Sequence, residues 1–163
     1  MIAYMERTRS YYGTLGYPPY EWARFEDVPF TALIKPLANS RLALITTAAP
    51  MREGLGDQGP GAPYNAAAKF FEVYTVAAEP VPDLRISHLG YDRRHTSALD
   101  PNTWLPIPAL NKAVATRLLG SLASEIIGVP TNRSQRTTTQ RDAPRVLAAC
   151  LEQQADIALL VPS

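Results

Sequence analysis

The sequence has a single cysteine, Cys150, among its 163 residues. One cysteine excludes an intramolecular disulfide and any metal site built from several thiolates. Scarce cysteine is typical of proteins in a reducing compartment, and we therefore expect a cytoplasmic protein. Cys150 lies in an apolar helical stretch, so we predict a buried cysteine that faces the sheet together with Leu147 and is not a nucleophile.

Long hydrophobic runs and an excess of one charge are also missing. No stretch approaches the ~18 apolar residues of a membrane span, and the first twelve residues carry Glu6, Arg7 and Arg9 where a signal peptide would have an apolar core. The formal net charge is +1, with 46% apolar and 19% charged residues, the balance of an ordinary globular protein. We expect no membrane and no nucleic acid among its partners.

Glycine-rich phosphate-binding motifs are absent as well. The loop from Pro50 to Pro63 contains Gly54-Leu55-Gly56 but not the GxGxxG pattern, and no GK[ST] sequence occurs anywhere. Dinucleotide and P-loop sites depend on those glycines, so neither site has support. The two histidines have no cysteine neighbours at the spacing of metal ligands, and we expect no metal site.

Proline, by contrast, is abundant, with fifteen residues that cluster in connections. Residues 1–37 contain Tyr17-Pro18-Pro19-Tyr20, and the residue before each proline favours extended backbone. We therefore predict an extended arm over residues 1–37. Its aromatic side chains are expected to anchor it on this chain or on a partner subunit, so that self-association through the arm is one expected mode of assembly. They are Tyr11, Tyr12, Tyr17, Tyr20, Trp22, Phe25 and Phe30.

Residues 38–163 show the alternation of strands and helices that is typical of an α/β domain. The last stretch, Ile157–Val161, is apolar throughout, as expected for a strand buried on both faces of a parallel sheet. We predict a doubly wound, mainly parallel sheet. The predicted strands are residues 41–49, 84–88, 121–129 and 157–161, and the predicted helices are residues 109–119 and 143–154, the second capped by Asp142.

Candidate site residues fall where predicted strands end, because ligands of open α/β sheets bind beyond the carboxyl ends of the strands. Thr46 and Thr47 end the first strand. His88, Tyr91 and Asp92 follow a later one and place an imidazole, a phenol and a carboxylate within five positions. Imidazole titrates near neutral pH, which suits a general acid or base, so His88 is the candidate catalytic residue. The alternative is a structural histidine hydrogen-bonded to Asp92 or to the backbone.

Two further expectations concern the surroundings of this site. If the strand ends share one crevice, Thr47, His88 and Ser163 lie close together in the folded chain. The loop from Thr131 to Asp142 holds three arginines whose guanidinium groups could bind a carboxylate or phosphate. A solvated polar loop is the more frequent reason for such a run.

Four stretches of the sequence carry a family resemblance. They are Pro36-Leu37 with Ala43–Ala48, then Asp83–Asp92, then Asp100–Pro106 with Gly120–Ala123, and finally Ala155–Val161. The most specific part is the Ser-His-x-x-Tyr-Asp run that starts at Ser87, followed by Asp-x-Asn at Asp100 and by Gly-Ser-Leu-Ala. In this order, residues 36–163 resemble the amino-terminal part of the selenoprotein B family, which comprises the glycine, sarcosine and betaine reductase subunits and the related D-proline reductase subunit.

The resemblance implies a reductase that cleaves C–N bonds of small amino acids or amines. In that family, the strand that matches Asp156–Val161 leads into a Sec-x-x-Cys or Cys-x-x-Cys motif, so a selenocysteine or cysteine is expected directly after Ser163. The resemblance also implies a partner subunit with a pyruvoyl group, and no cofactor in this chain itself. Around the catalytic His88 we predict a set of substrate-binding residues, which are Thr46, Thr47, Tyr91, Asp92 and Asn102.

The sequence departs from the family pattern in two places. The redox motif lies outside these 163 residues, so we expect residues 38–163 to form an incomplete domain that is inactive alone. Glu72 stands where a basic residue is expected after the Phe70-Phe71 pair. Two other functions stay open, namely a non-catalytic binding or assembly module that keeps the family fold, and a regulatory domain that binds a small ligand.

Overall fold

The structure is a computed structural model that describes residues 3–29, 31–55, 65, 68–88, 91, 98–132 and 134–163. Among the residues named above, Phe30, Gly56, Pro63 and Asp92 lie outside the described residues, as does Arg133, the first of the three arginines between Thr131 and Asp142. The chain divides into two compact units, Met1–Thr31 and Ala32–Ser163.

The first unit begins with helix α1, Ala3–Thr14, where the sequence predicts an extended arm. That prediction is wrong for this stretch because the prolines that favour extended backbone begin only at Pro18. A turn follows the helix at Gly16, whose φ of 74° is a left-handed conformation that suits glycine. Tyr12 then packs against Tyr17 and Tyr20, with ring centroids 6.1 and 5.4 Å apart. The aromatic side chains of the arm thus partly cover one another, and the contact of the arm with a partner stays a prediction.

The second unit contains two sheets. Its strands in the described residues are β1 Arg41–Thr46, β2 Ala49–Pro50, β3 Tyr74–Ala77, β4 Leu84–Arg85, β5 Ser121–Leu122, β6 Glu125–Gly128 and β7 Ile157–Val161. The larger sheet has the order β3-β6-β1-β5, and β7 also pairs with β1. β5, β6 and β7 run parallel to β1, while β3 runs antiparallel to β6. The prediction of an α/β fold with a mainly parallel sheet is confirmed.

Three α-helices belong to this unit in the described residues: α2 Ile107–Ala115, α3 Gln135–Thr137 and α4 Ala143–Glu152. A π-helical turn, Thr138–Asp142, joins α3 to α4, and short 3-10 helices lie at Leu37–Asn39 and Pro101–Thr103. The helix predicted from residue 143 thus begins earlier, and Ser134 caps it by accepting a hydrogen bond from the Thr137 N–H (3.2 Å). The predicted cap, Asp142, makes no such bond. Three consecutive threonines, which are poor helix formers, conceal the true start in the sequence.

Apolar clusters lie on both faces of the larger sheet, and β1 contributes alternate residues to each. Leu42 and Leu44 belong to the cluster that contains Ile107 of α2. Ala43 and Ile45 belong to the cluster that packs against α4. β1 is therefore the covered centre of the fold, with α2 and α4 on opposite sides of it.

The predictions for β7 and β4 are wrong, and the predicted strand over residues 121–129 is divided into β5 and β6. β7 is not buried on both faces, because in the described part of the chain it pairs with β1 alone, and Leu159 and Leu160 are 36% and 68% exposed. An apolar run predicts burial but not which surface provides the cover. β4 does not join the parallel sheet either, because Leu84–Arg85 pairs antiparallel with Ala49–Pro50 of β2. Two paired residues carry no periodicity from which a direction could be predicted.

Candidate functional site

The carboxyl ends of three parallel strands meet at one edge of the sheet. Thr46 at the end of β1 is in register with Gly128 of β6 on one side and with Val161 of β7 on the other. The residues that follow these strands therefore converge, as open α/β sheets require of a ligand site. This is the edge at which the sequence places the candidate site, and we refer to it as the carboxyl edge.

Thr47 and Ser163 form a closed set of hydrogen bonds at the carboxyl edge. The Ser163 N–H donates to Thr47 Oγ1 (2.7 Å), and Thr47 Oγ1 donates to the Ser163 carbonyl oxygen (2.9 Å). The two hydroxyl oxygens lie 3.1 Å apart. The predicted proximity of Thr47 and Ser163 is confirmed, and it fixes the end of β7 to the end of β1.

Thr46 is buried, and its hydroxyl links the sheet to a neighbouring turn. Thr46 Oγ1 donates to the Trp104 carbonyl oxygen (2.8 Å) and accepts from the Ala48 N–H (3.1 Å). The indole N–H of Trp104 in turn donates to the Leu84 carbonyl oxygen (2.9 Å). The Thr46 hydroxyl thus already holds the end of β1 to the Pro101–Thr103 turn.

A pocket of about 260 Å³ contains His88, with a mixed polar and aromatic lining. The lining residues are Lys69, Phe70, Phe71, Ser87, His88, Thr131 and Asn132. Thr131 and Asn132 follow β6 shortly after its carboxyl end, so the pocket belongs to the carboxyl edge. His88 is exposed and Ser87 is buried. The lining residues thus include an ammonium, an imidazole, two hydroxyl and an amide side chain, and we call this cavity the His88 pocket. Thr47 and Ser163 are not among its lining residues.

A buried carboxylate, that of Asp142, binds Asn132, one of the residues that line the His88 pocket. Asp142 is fully buried, and its Oδ2 accepts a hydrogen bond from Asn132 Nδ2 (2.5 Å). Asn132 Oδ1 accepts from the Ser134 N–H (2.9 Å), which orients the amide. Because both ends of the amide are engaged, Asn132 presents a fixed surface to the pocket.

Arg141 connects this carboxylate to the aromatic wall of the pocket. Its Nε donates to Asp142 Oδ1 (2.9 Å), and its Nη2 donates to the Phe71 carbonyl oxygen (2.8 Å). The hydrogen bond that Arg141 donates to Asp142 raises the pKa of the Arg141 guanidinium, which keeps it charged. Glu72 accepts from both Arg141 and Arg145. The acidic residue at position 72 therefore has a defined role here, pairing with two arginines of the following helical stretch.

Tyr74 packs over the end of β6 and is a residue that the sequence did not single out. Its hydroxyl donates to the Ala48 carbonyl oxygen (2.6 Å), and burial raises its pKa well above the ordinary value of 10.0. A Cβ placed on Gly128 would lie only 1.9 Å from the Tyr74 ring, so glycine is required there. The Phe70 ring meets the Tyr74 ring edge-on at 5.1 Å. Tyr74 thus connects β3, β6 and the loop after β1 beside the His88 pocket.

The remaining predicted site residues lie elsewhere. Tyr91 is half-buried and packs against the apolar cluster that contains Ile107, and its N–H donates to the His88 carbonyl oxygen (3.3 Å). Asn102 binds Asp100 Oδ1 through its side-chain amide (2.8 Å) and accepts from the Ala109 N–H (3.2 Å), so it supports the start of α2. Neither lines the His88 pocket, and Asp92 lies outside the described residues.

Cys150 is half-buried in the cluster that α4 covers, together with Val146 and Ala149. Burial raises the pKa of its thiol, which lowers the thiolate fraction that a nucleophile needs. The predicted packing of Cys150 against the sheet is confirmed, but its predicted burial is only partial. Its predicted companion Leu147 is instead 59% exposed.

The sequence reasoning missed Lys69, Asn132 and Asp142 as parts of one site. The only sequence signal was the polar run from Thr131 to Asp142, read as a solvated loop with candidate arginines. Within the described ranges, no group of three or more His, Cys, Asp or Glu residues converges as a metal site would require. None of the described helices is long and apolar enough to cross a membrane.

Comparison with known proteins found no matching family model, no matching curated protein and no matching solved structure.

Proposed function

We propose that this chain is the amino-terminal portion of a selenol- or thiol-dependent reductase subunit of the selenoprotein B type, which cleaves C–N bonds of small amino acids or amines. The proposal rests on the residue resemblance over residues 36–163. It includes a cytoplasmic location and a doubly wound topology, with α2 and α4 covering opposite faces.

The observation that supports it best is the contact between Thr47 and Ser163 at the carboxyl edge. In the family resembled, the redox motif follows the strand that matches β7. A selenol or thiol directly after Ser163 would therefore start from a backbone position tied to the end of β1, on the edge where α/β sheets bind ligands. A selenol or low-pKa thiol is a strong nucleophile, and a nearby second thiol can resolve its oxidised form.

The His88 pocket would receive the substrate in this proposal. Its volume of about 260 Å³ suits a molecule of amino-acid size. The Lys69 ammonium and the hydroxyl of Thr131 can bind a carboxylate, while the Phe70 and Phe71 rings provide apolar or cation–π contact to an amine. His88 would exchange a proton with the departing or attacking group, as a general acid or base.

The coding sequence beyond Ser163 tests the family assignment directly. We expect a selenocysteine or cysteine codon at position 164 and a cysteine codon three positions later. A sense codon for any other residue at position 164 contradicts the proposal, as does an in-frame stop that no open reading frame follows.

Substrate binding can be tested independently by NMR, because the sequence contains only His88 and His95 as histidines. In protein labelled at histidine, titration with glycine, sarcosine, betaine or D-proline should shift the His88 signal and leave the His95 signal unchanged. The variants His88→Gln and His95→Gln assign the two signals. Equal shifts of both signals, or no shift with any of the four compounds, would remove the pocket from the proposal.

A second candidate function is the assembly module, which the exposed leucines of β7 favour. If this chain binds a specific protein partner and none of the four compounds shifts the His88 signal, the assembly module is supported over the reductase.

A further inference from the structure

A second pocket lies at the edge of the larger sheet where β1, β5 and β7 begin. Its volume is about 360 Å³, which is within the range of pockets that hold small molecules. We call this cavity the amino-edge pocket. It shares no lining residue with the His88 pocket at the carboxyl edge. Its lining residues are all polar or charged, namely Lys35, Asn39, Arg41, Ser121, Gln154 and Asp156.

Asp156 contributes a carboxylate of which only one oxygen is engaged. Its Oδ2 accepts from Lys35 Nζ (2.8 Å) and from the Arg41 N–H (2.7 Å), while its Oδ1 has no partner among the described residues. The hydrogen bonds from the Arg41 N–H and from Lys35 lower the pKa of Asp156, and the charge of the Arg41 guanidinium lowers this pKa further. The carboxylate is therefore charged at neutral pH, and Oδ1 can accept a hydrogen bond from a cation.

Arg41 contributes a guanidinium that is close to this carboxylate without being paired to it. Its Nη1 donates to the Gln153 carbonyl oxygen (3.0 Å). Its Nε and Nη2 have no partner in the part of the chain that the structure describes, where the side chains of Arg41 and Asp156 form no ion pair with each other. Two opposite charges that line one cavity without pairing suit a ligand that carries both charges itself, because each end of the ligand then binds its complement.

Three uncharged side chains complete the lining of the amino-edge pocket. Those of Asn39, Ser121 and Gln154 make no hydrogen bond to another described residue. An amide or a hydroxyl group both donates and accepts, so these side chains favour a ligand that does the same. None of the described lining residues is apolar, so an apolar ligand would gain little there. The chemistry of the lining therefore indicates a small polar zwitterion.

We propose that the amino-edge pocket binds a free amino acid with a polar side chain. Nε and Nη2 of Arg41 form a fork that matches the two oxygens of the ligand carboxylate. Oδ1 of Asp156 accepts from the ligand ammonium. The amides of Asn39 and Gln154 and the hydroxyl of Ser121 bind the polar side chain. An anion alone would leave the free carboxylate oxygen unpaired beside it, and a cation alone would leave the guanidinium unpaired. This site does not depend on the proposed function.

Isothermal titration calorimetry tests the two charged contacts. The probes are L-serine, L-asparagine and L-glutamine, and at least one of them should bind to the unchanged chain at a single site. Two analogues of that amino acid, the α-amide without the carboxylate and the deamino acid without the ammonium, should each bind about tenfold more weakly. The proposal is overturned if none of the three amino acids binds, or if either analogue binds as tightly as the amino acid.

Asp156→Asn separates ligand binding from a structural role of this side chain. Asparagine keeps an oxygen that can accept from Lys35 and Arg41 but removes the negative charge. The variant should bind the amino acid about tenfold more weakly and the deamino acid as before, because the deamino acid has no ammonium to bind. A purely structural role would weaken the binding of both ligands equally, and that result would contradict the proposal.

Gln154 offers a substitution that preserves the fold. Its φ of 53° is a left-handed conformation that glycine adopts without strain, and Arg117, with a φ of 60°, is a matched control outside the pocket. Denaturant unfolding should show little loss of stability for Gln154→Gly and for Arg117→Gly. Gln154→Gly should weaken the binding of the amino acid several-fold, whereas Arg117→Gly should leave it unchanged. Equal affinities of the two variants are incompatible with the proposed contact.

His88→Gln distinguishes the two pockets. Because the amino-edge pocket shares no lining residue with the His88 pocket, this variant should bind the amino acid with unchanged affinity. Loss of binding in His88→Gln would place the ligand at the carboxyl edge. That result would overturn the present inference while supporting substrate binding in the His88 pocket.

Discussion

At the scale of single residues, the site depends on side chains whose partners lie far away in sequence. Asp142 binds Asn132, ten positions earlier, and Tyr74 binds Ala48, twenty-six positions earlier. Each bond ties a loop at the carboxyl edge to a neighbouring element. The His88 pocket is therefore shaped by residues that do not all touch it.

Tyr74 gives a prediction for the dependence of stability on pH. Burial raises its pKa in the folded state above the unfolded value near 10.0, so the folded chain keeps this proton after the unfolded chain has lost it. The associated stability is complete below pH 10 and is lost as the pH rises above 10. Between about pH 9 and 11, the free energy of unfolding should fall by roughly 1 kcal/mol more in the unchanged protein than in Tyr74→Phe.

Urea unfolding at several pH values measures this difference. Tyr11→Phe is the control for the loss of a tyrosine hydroxyl, since Tyr11 is 62% exposed. If the free energy of unfolding of Tyr74→Phe falls as much at alkaline pH as that of the unchanged protein, Tyr74 is not the group responsible.

Gly128 gives a second prediction at this scale. In Gly128→Ala the new methyl group would overlap the Tyr74 ring, which its hydrogen bond to Ala48 holds in place. We expect a loss of about 1–3 kcal/mol in the free energy of unfolding, the usual cost of overpacking. Gly13→Ala is the matched control, because nothing lies within 4 Å of a Cβ at that position. Similar stability of the two variants, measured by denaturant unfolding, would mean that Tyr74 can move aside.

At the scale of elements, the helical stretch from Gln135 to Glu152 organises the carboxyl edge. Its π-helical turn ends at Asp142, where the side chain is fully buried against Asn132. The arginine that follows in α4, Arg145, reaches Glu72 on the segment before β3. One helical stretch thus contacts two residues that line the His88 pocket, Asn132 and Phe71.

The start of this stretch can be tested through its cap. Ser134→Ala removes the acceptor of the Thr137 N–H and should lower the free energy of unfolding by about 1 kcal/mol. Ser134→Asp keeps a capping acceptor and should restore most of the loss. An alanine variant as stable as the unchanged protein would show that the helix begins at α4, as the sequence alone suggests.

At the scale of the whole molecule, patterning was sufficient for the fold class. The apolar runs at residues 41–46 and 157–161 predicted parallel strands, and both are present in register. The apolar pattern did not predict that β7 pairs with β1 alone in the described residues and keeps exposed leucines. A run of five apolar residues has the same pattern whether this chain or another surface covers it. The prediction from the sequence was also wrong for Leu84–Arg85, which pairs antiparallel with β2 and does not join the parallel sheet.

The candidate site, like the fold, was predictable from the sequence only in part. Placing Thr47 and Ser163 together required only the rule that parallel strands end at one edge, and the sequence determined that much. Grouping Lys69, Asn132 and Asp142 around His88 required the path of two loops and a π-helical turn. Local sequence carries strand and helix periodicity because those patterns repeat over neighbouring residues. Side chains from distant segments meet through packing alone, and for that reason only the tertiary structure decided which of them form the pocket and which leucines stay exposed.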